Sequence, residues 1–313
     1  MNTAHPFSKP VLHQRTSPFL QEKLVQLGCD EVFGEVPCRI SSLLGISVSQ
    51  SQVYRTCQNV AMALDESELN TPEVEMLQVQ DKPNEQVYAM VDGSMLFTDE
   101  GWQEIKVGRV FQSEHYTENE EDKWRTGLSQ YVAKRGHYTG FTRIFEKMLR
   151  PESACKKIFV TDGATWIGQW IEQRYKGSTH IIDIFHVFEK LAAVAPADKG
   201  HWFDKQRALL LNGKVEAVIE SLKRQYDKRE EVTRLIGYME NHKHQMDYLT
   251  YRQNGWMIGS GAIESTHRTL LQVRMKRSGQ RWADDGCDNM IKLRVVYKNG
   301  KNNLVRNLLK NTA

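Results

Sequence analysis

QVYAMVDG at residues 86–93 and KIFVTDG at residues 157–163 carry one pattern twice. Each is a short apolar run rich in β-branched and aromatic residues that closes on Asp-Gly. Such a run predicts a buried strand with an acidic residue at its end. An Asp at a strand end stands at the rim of a sheet, where neighbouring strands bring side chains together. The glycine after it has no Cβ and leaves the backbone open to a phosphate or a metal ion. Asp-Gly is also an ordinary turn, so one copy says little. Two copies, each closing an apolar strand, point to a shared site containing Asp92 and Asp162.

Working outward, WQEIKVGRVF at 102–111 alternates and predicts a second strand, with a third within Ser129–Lys134. Phe141–Leu149 reads as a helix stopped by Pro151. Ala164–Tyr175 reads as another, and Thr179–Ile182 as a strand leading into Asp183-Ile-Phe-His186. Trp166, Trp170 and Trp256 are most simply core. From 187 to 254 only helical spacing survives, as in 215–222 and 232–239. Three strands, a helix, a strand, a helix and a strand predict an α/β fold: a ribonuclease-H-like mixed sheet flanked by helices. Residues 86–186 would be its first part, 187–254 an all-helical insertion, and 255–313 the closing helix and a basic tail.

Upstream, residues 1–68 read as helical. Ser17–Leu27 has helical spacing with Gly28 as its stop, followed by Val36–Leu44, a turn at Gly45, and a Ser-capped segment Gln50–Leu64. That layout is helix-turn-helix-like, and it would place Gln52, Tyr54 and Arg55 in a major groove. An ordinary three-helix packing unit has the same layout. Residues 69–85 are polar and acidic with two prolines, and read as a linker.

Composition bounds the function. The chain has 313 residues, 40% hydrophobic and 26% charged, as in ordinary globular proteins. It shows no apolar run near the roughly 20 residues of a membrane span and no signal-peptide core at the start, so a cytoplasmic location without membrane contact is expected. Five scattered cysteines with no CxxC pair argue against a disulfide framework or a zinc finger. The net charge of +3 hides an asymmetry. Residues 61–122 hold sixteen Asp and Glu against three Lys and Arg, whereas 264–313 hold eleven Lys and Arg against four acids. The basic end suits a polyanionic partner, or merely solvates helix faces.

A third carboxylate, Glu264, sits in GSGAIES at 259–265, just inside a helix whose small residues allow close approach to a sheet. Read alone, it is a helix-capping acid. Read with Asp92 and Asp162, it completes a set of hard oxygen ligands of the kind that holds Mg²⁺. Three carboxylates can carry two ions about 3.5–4 Å apart, one activating a water or 3′-hydroxyl and the other stabilising the leaving oxygen. Arg268, Arg274, Lys276, Arg277 and Arg281 follow, positioned to neutralise phosphates. Trp282 either stacks on a frayed base or, more simply, packs.

The two strand-Asp-Gly motifs, GSGAIES and RMKRSGQRW at 274–282 together resemble the DDE transposases of bacterial insertion sequences, closest to the Kra-type and distantly to Mutator-like elements. The resemblance runs from near Ser17 to Lys298. It implies a catalytic, metal-binding triad of Asp92, Asp162 and Glu264 using two Mg²⁺ or Mn²⁺ ions. It also implies double-stranded DNA at element ends and target as partner, and at least a homodimer in the active complex. Asp183 and His186 resemble the (C/D)xxH motif of related transposases, with Glu189 one turn on; a His packed at a strand–helix junction is the alternative. Members of that group often carry a longer N-terminal region, so a truncated, compact or domesticated copy is expected. A transposase-derived DNA-binding regulator, or another nuclease on the same fold, fits the same residues.

Overall fold

A computed structural model describes residues 16–118, 121–195, 199–225 and 229–311. The first fifteen residues of the N-terminal region and the last two of the basic tail therefore lie outside the described residues. Five strands form one mixed sheet: β1 (Gln86–Thr98), β2 (Gly101–Glu118), β3 (Glu121–Arg135), β4 (Lys156–Thr161) and β5 (Thr179–Ile182). Their spatial order is β3-β2-β1-β4-β5. The first three make an antiparallel meander, β4 runs parallel to β1, and β5 parallel to β4. Helix Tyr138–Met148 connects β3 to β4, and helix Thr165–Arg174 connects β4 to β5.

Both faces of the sheet are covered, which is why β1 and β4 read as unbroken apolar runs. Val87, Ala89, Val91 and Phe159 pack with Phe141, Phe145 and Trp170 on one side. Tyr88, Met90, Ile158 and Val160 join the larger core on the other, with the N-terminal helices, the helices after β5 and the C-terminal helices. The packing is close: a Cβ on Gly108 of β2 would lie 2.3 Å from the Phe145 ring.

Several boundaries differ from the sequence reading. Asp92 does not end β1, which continues to Thr98 with Ser94, Leu96 and Thr98 buried and Met95 and Phe97 exposed. What ends near Asp92 is the pairing with β4, whose last partners are Met90 and Val160. β2 and β3 extend well beyond the expected segments, in a hairpin whose register shifts between Phe111 and Ser113. Gly28 lies inside helix Pro18–Asp30 rather than stopping it. Its role is close approach, because a Cβ there would meet Cys57 Sγ at 2.6 Å. The segment read as a linker contains helix Val74–Gln80, held by buried Met76 and Val79.

The helix-turn-helix layout is present in helix Val36–Leu44, left-handed Gly45 (φ +65°) and helix Gln50–Ala63, whose Ser49 cap accepts from Gln52 N at 3.1 Å. Gln50–Ala63 buries Val53, Cys57, Val60 and Ala61 in the larger core. The described residues from Ile184 to Gln253 form helices and turns with no strand. Among the described residues no helix is long and apolar enough to cross a membrane.

Candidate functional site

The β1–β4 register builds the first half of the site. Tyr88 pairs with Ile158 and Met90 with Val160. Asp92 and Asp162 each follow that last pair by two residues, and both line one cleft. Asp92 remains within β1, opposite Val107 of β2, whereas β4 has ended at Thr161. The chain then turns at Gly163, whose φ of +84° favours glycine. A Cβ there would lie 3.0 Å from the Tyr238 ring and hydroxyl. The Tyr238 hydroxyl donates to the Asp162 carbonyl at 2.8 Å. Helix Glu230–His242 thereby braces the Asp162 turn, and Asp162 Oδ1 accepts from Ala164 N at 3.0 Å.

Glu264 arrives on helix Gly261–Thr266, at the first turn. Ala262 and Ile263 bury that helix start against the sheet, where Arg109 Nη1 of β2 donates to the Ala262 carbonyl at 3.2 Å. Gly259 is the glycine of GSGAIES that the packing requires, since a Cβ there would meet the Phe185 ring at 2.4 Å. Asp183 is buried and caps helix Ile184–Val194, its Oδ1 accepting from Phe185 N at 2.9 Å. Its Oδ2 lies 2.5 Å from Ser260 Oγ, which is also 3.2 Å from Glu264 Oε1. Burial pushes the Asp183 carboxyl above the usual carboxylate range, against the hydrogen bonds from Ser260 and Phe185 that pull it down. His186 is half-buried, with Nδ1 3.7 Å from Glu189 Oε2.

A cleft of about 170 Å³ is lined by Asp92, Asp162, Asp183, His186, Glu189 and Glu264. The structure thus brings together the three carboxylates and the supporting motif. Hard oxygen donors from a strand, a strand-end turn and a helix suit Mg²⁺ or Mn²⁺ chemically. They do not form a closed cage: among the described residues no three His, Cys, Asp or Glu side chains are grouped so as to hold an ion. Each carboxylate instead leans on a protein neighbour. Asp92 Oδ1 accepts from Gly93 N at 2.7 Å, and its Oδ2 lies 3.0 Å from His267 Nε2.

The basic residues separate into two groups. Arg274 is fully buried, its Nε donating to the Gly28 carbonyl at 2.9 Å and its guanidinium over the rings of Phe33 and Trp282. Burial lowers its pKa to about 10. It is a packing residue and not the phosphate contact expected. Trp282 is likewise buried rather than free to stack on a base. Its Nε1 donates to the Met275 carbonyl at 3.1 Å, and its backbone bonds with Phe97 and Asp99 tie this segment to the end of β1. Further along the tail, Lys292 donates to the Leu64 carbonyl, and Lys301 to the carbonyls of Glu68, Leu69 and Thr71. These two cations bind backbone carbonyls at or just past helix C-terminal ends, so they are structural and not free for a polyanion.

Arg277 pairs with Glu35 and Arg281 with Asp99, both at the surface. Arg268 and Lys276 are exposed, and Arg268 shares a recess with Asp92, Glu264 and His267. In helix Gln50–Ala63, Arg55 is exposed and Tyr54 is partly so, edge-on to Phe33. Gln52 is half-buried and donates to Thr16 Oγ1 at 3.0 Å. Three residues that touch the carboxylates had no assigned role in the sequence: Ser260, His267 and Tyr238. The first lay within GSGAIES and the second three residues past Glu264, whereas nothing in the sequence marked Tyr238.

Fold and cleft define a mixed α/β protein whose carboxylates gather beside the C-terminal end of a central parallel strand. The chain belongs to the uncharacterised protein family UPF0236, whose model matches residues 11–308. It is similar to the UPF0236 protein in vanSb 3'region of Streptococcus gallolyticus, with 25% identity over 316 residues covering 92% of this chain. The chain spans 65% of the length of that curated relative.

Proposed function

We propose that the chain cleaves DNA phosphodiesters and transfers the freed strand, as the transposases it resembles do, on a ribonuclease-H-like core. The observation that carries this reading is the cleft that Asp92, Asp162 and Glu264 line together, just past the end of the β1–β4 pairing. The order of meander, helix, strand, helix and strand supports the ribonuclease-H-like assignment. Asp92, Asp162 and Glu264 would hold two Mg²⁺ or Mn²⁺ ions, which when bound activate the attacking oxygen and stabilise the leaving one. The protein's own residues set the geometry. Tyr238 and Gly163 hold the Asp162 turn, and Ser260 ties Asp183 to Glu264. Arg268 and Lys276 meet phosphates of double-stranded DNA. Joining two ends to one target calls for at least a dimer.

A DNA-binding regulator derived from such an enzyme is the second reading. The engagement of each carboxylate with a protein neighbour favours it. One experiment separates the two. The purified protein is incubated with a plasmid carrying the DNA that flanks its gene, with Mg²⁺, Mn²⁺ or EDTA. The enzyme reading expects metal-dependent nicking and strand-transfer products, lost in Asp92→Asn, Asp162→Asn and Glu264→Gln with DNA binding retained. Binding without cleavage under every condition supports the regulator.

A further inference from the structure

His267 opens a six-residue π-helical stretch, His267–Gln272, directly after the helix that carries Glu264. Such widened turns are rare, and they concentrate at functional sites. The residue is only 5% exposed. Its Nε2 stands 3.0 Å from Asp92 Oδ2, yet neither ring nitrogen has an aligned hydrogen bond within the protein. A buried imidazole without a partner is costly. Asp92 Oδ2, at that distance, is the acceptor that answers it. A proton on Nε2 would donate to Oδ2 while Gly93 N–H holds Oδ1.

We propose that His267 is a positioning residue for Asp92, fixing the carboxylate so that it presents a free lone pair of each oxygen to a divalent cation in the cleft. The inference rests on reading Asp92 as a metal-binding carboxylate. Its chemical logic is that of outer-shell partners, which orient a ligand without touching the ion and whose loss costs about 10–100-fold in metal affinity. Glu264 and Arg268, which share the recess with Asp92 and His267, are exposed and do not replace this contact.

Two measurements on the full chain test it. In metal-free protein, the ¹⁵N shifts of the His267 ring should report the Nε2–H tautomer and move in Asp92→Asn. A His267 ring on the other tautomer, or unmoved by that substitution, overturns the inference whatever the metal does. Mn²⁺ binding is then followed by the loss of the free-ion electron paramagnetic resonance signal. His267→Ala should bind Mn²⁺ about tenfold more weakly than wild type, and His267→Gln, whose amide N–H can reach Oδ2, should recover most of the loss. Equal affinity in all three removes the positioning role. If His267→Ala does not fold, the glutamine variant and the ring shifts decide alone. Absence of Mn²⁺ binding by wild type, or binding unchanged in Asp92→Asn, instead removes the reading of Asp92 as a ligand.

Discussion

Replacing Arg274 by alanine separates a packing cation from a DNA-contacting one. The side chain is fully buried, donates to the Gly28 carbonyl and lies over the rings of Phe33 and Trp282. Losing a hydrogen bond from a charged donor costs about 1.5–3 kcal/mol. Emptying a site of this size costs about 2–5 kcal/mol, as in large-to-small core changes. Against this, Nη1 and Nη2 have no hydrogen-bond partner, so removing the desolvated charge recovers part of both. The net expectation is a loss of about 2–4 kcal/mol, or roughly 3–6 °C in melting temperature for a chain of this size. Arg274→Met keeps most of the stem and drops the charge, and should fall within about 1–2 kcal/mol of wild type. Circular dichroism melts give stability, and fluorescence anisotropy with a short duplex at two salt concentrations gives DNA affinity. The reasoning is refuted if Arg274→Ala melts with wild type and weakens DNA binding with a reduced salt slope.

Three further outcomes follow from the same geometry. Arg268→Ala and Lys276→Ala should change stability by no more than about 0.5 kcal/mol while each lowers the salt slope of DNA binding by about one; an unchanged slope removes that residue from the interface. Gly163→Ala places a Cβ against Tyr238 at a φ of +84°, so urea melts should show a loss of about 1–2 kcal/mol together with reduced cleavage, and wild-type behaviour in both would end the bracing role of Tyr238. Asp183 has a raised pKa when folded, so the folded state holds its proton more tightly than the unfolded chain. Its contribution to stability therefore falls as pH rises from the ordinary carboxylate pKa through the raised one. Asp183→Asn should flatten that part of the stability profile above the ordinary carboxylate pKa, and an unaltered slope would show that another group carries it.

The strands carrying Asp92 and Asp162 were legible because burial on both faces leaves a continuous apolar run that only a central strand produces. Their register was not legible, since pairing is a property of two segments, and it is the fold that brings the two Asp residues to one cleft. Asp92 was misplaced to a strand end because a Gly after it looks like a turn, whereas Gly93 continues β1 into the hairpin with β2. The basic tail was legible as charge but not as destination. Arg274 and Arg268 are indistinguishable in a list of cations, yet one fills the core and the other faces solvent. Helix Val74–Gln80 was hidden by its acidic, proline-flanked surroundings, although Met76 and Val79 have helical spacing. His267 and Tyr238 reach the site from different elements, and only the fold shows what they touch.

The proposed function stands on Asp92, Asp162 and Glu264 sharing one divalent-metal site. The most direct measurement is a crystal structure grown with Mn²⁺, with the ions placed by anomalous scattering. Mn²⁺ is expected in the cleft within about 2.0–2.3 Å of oxygens from Asp92 and Asp162, with Glu264 turned from Ser260 to join them. Ordered carboxylates that keep their present partners at saturating Mn²⁺, with no anomalous peak in the cleft, would contradict it.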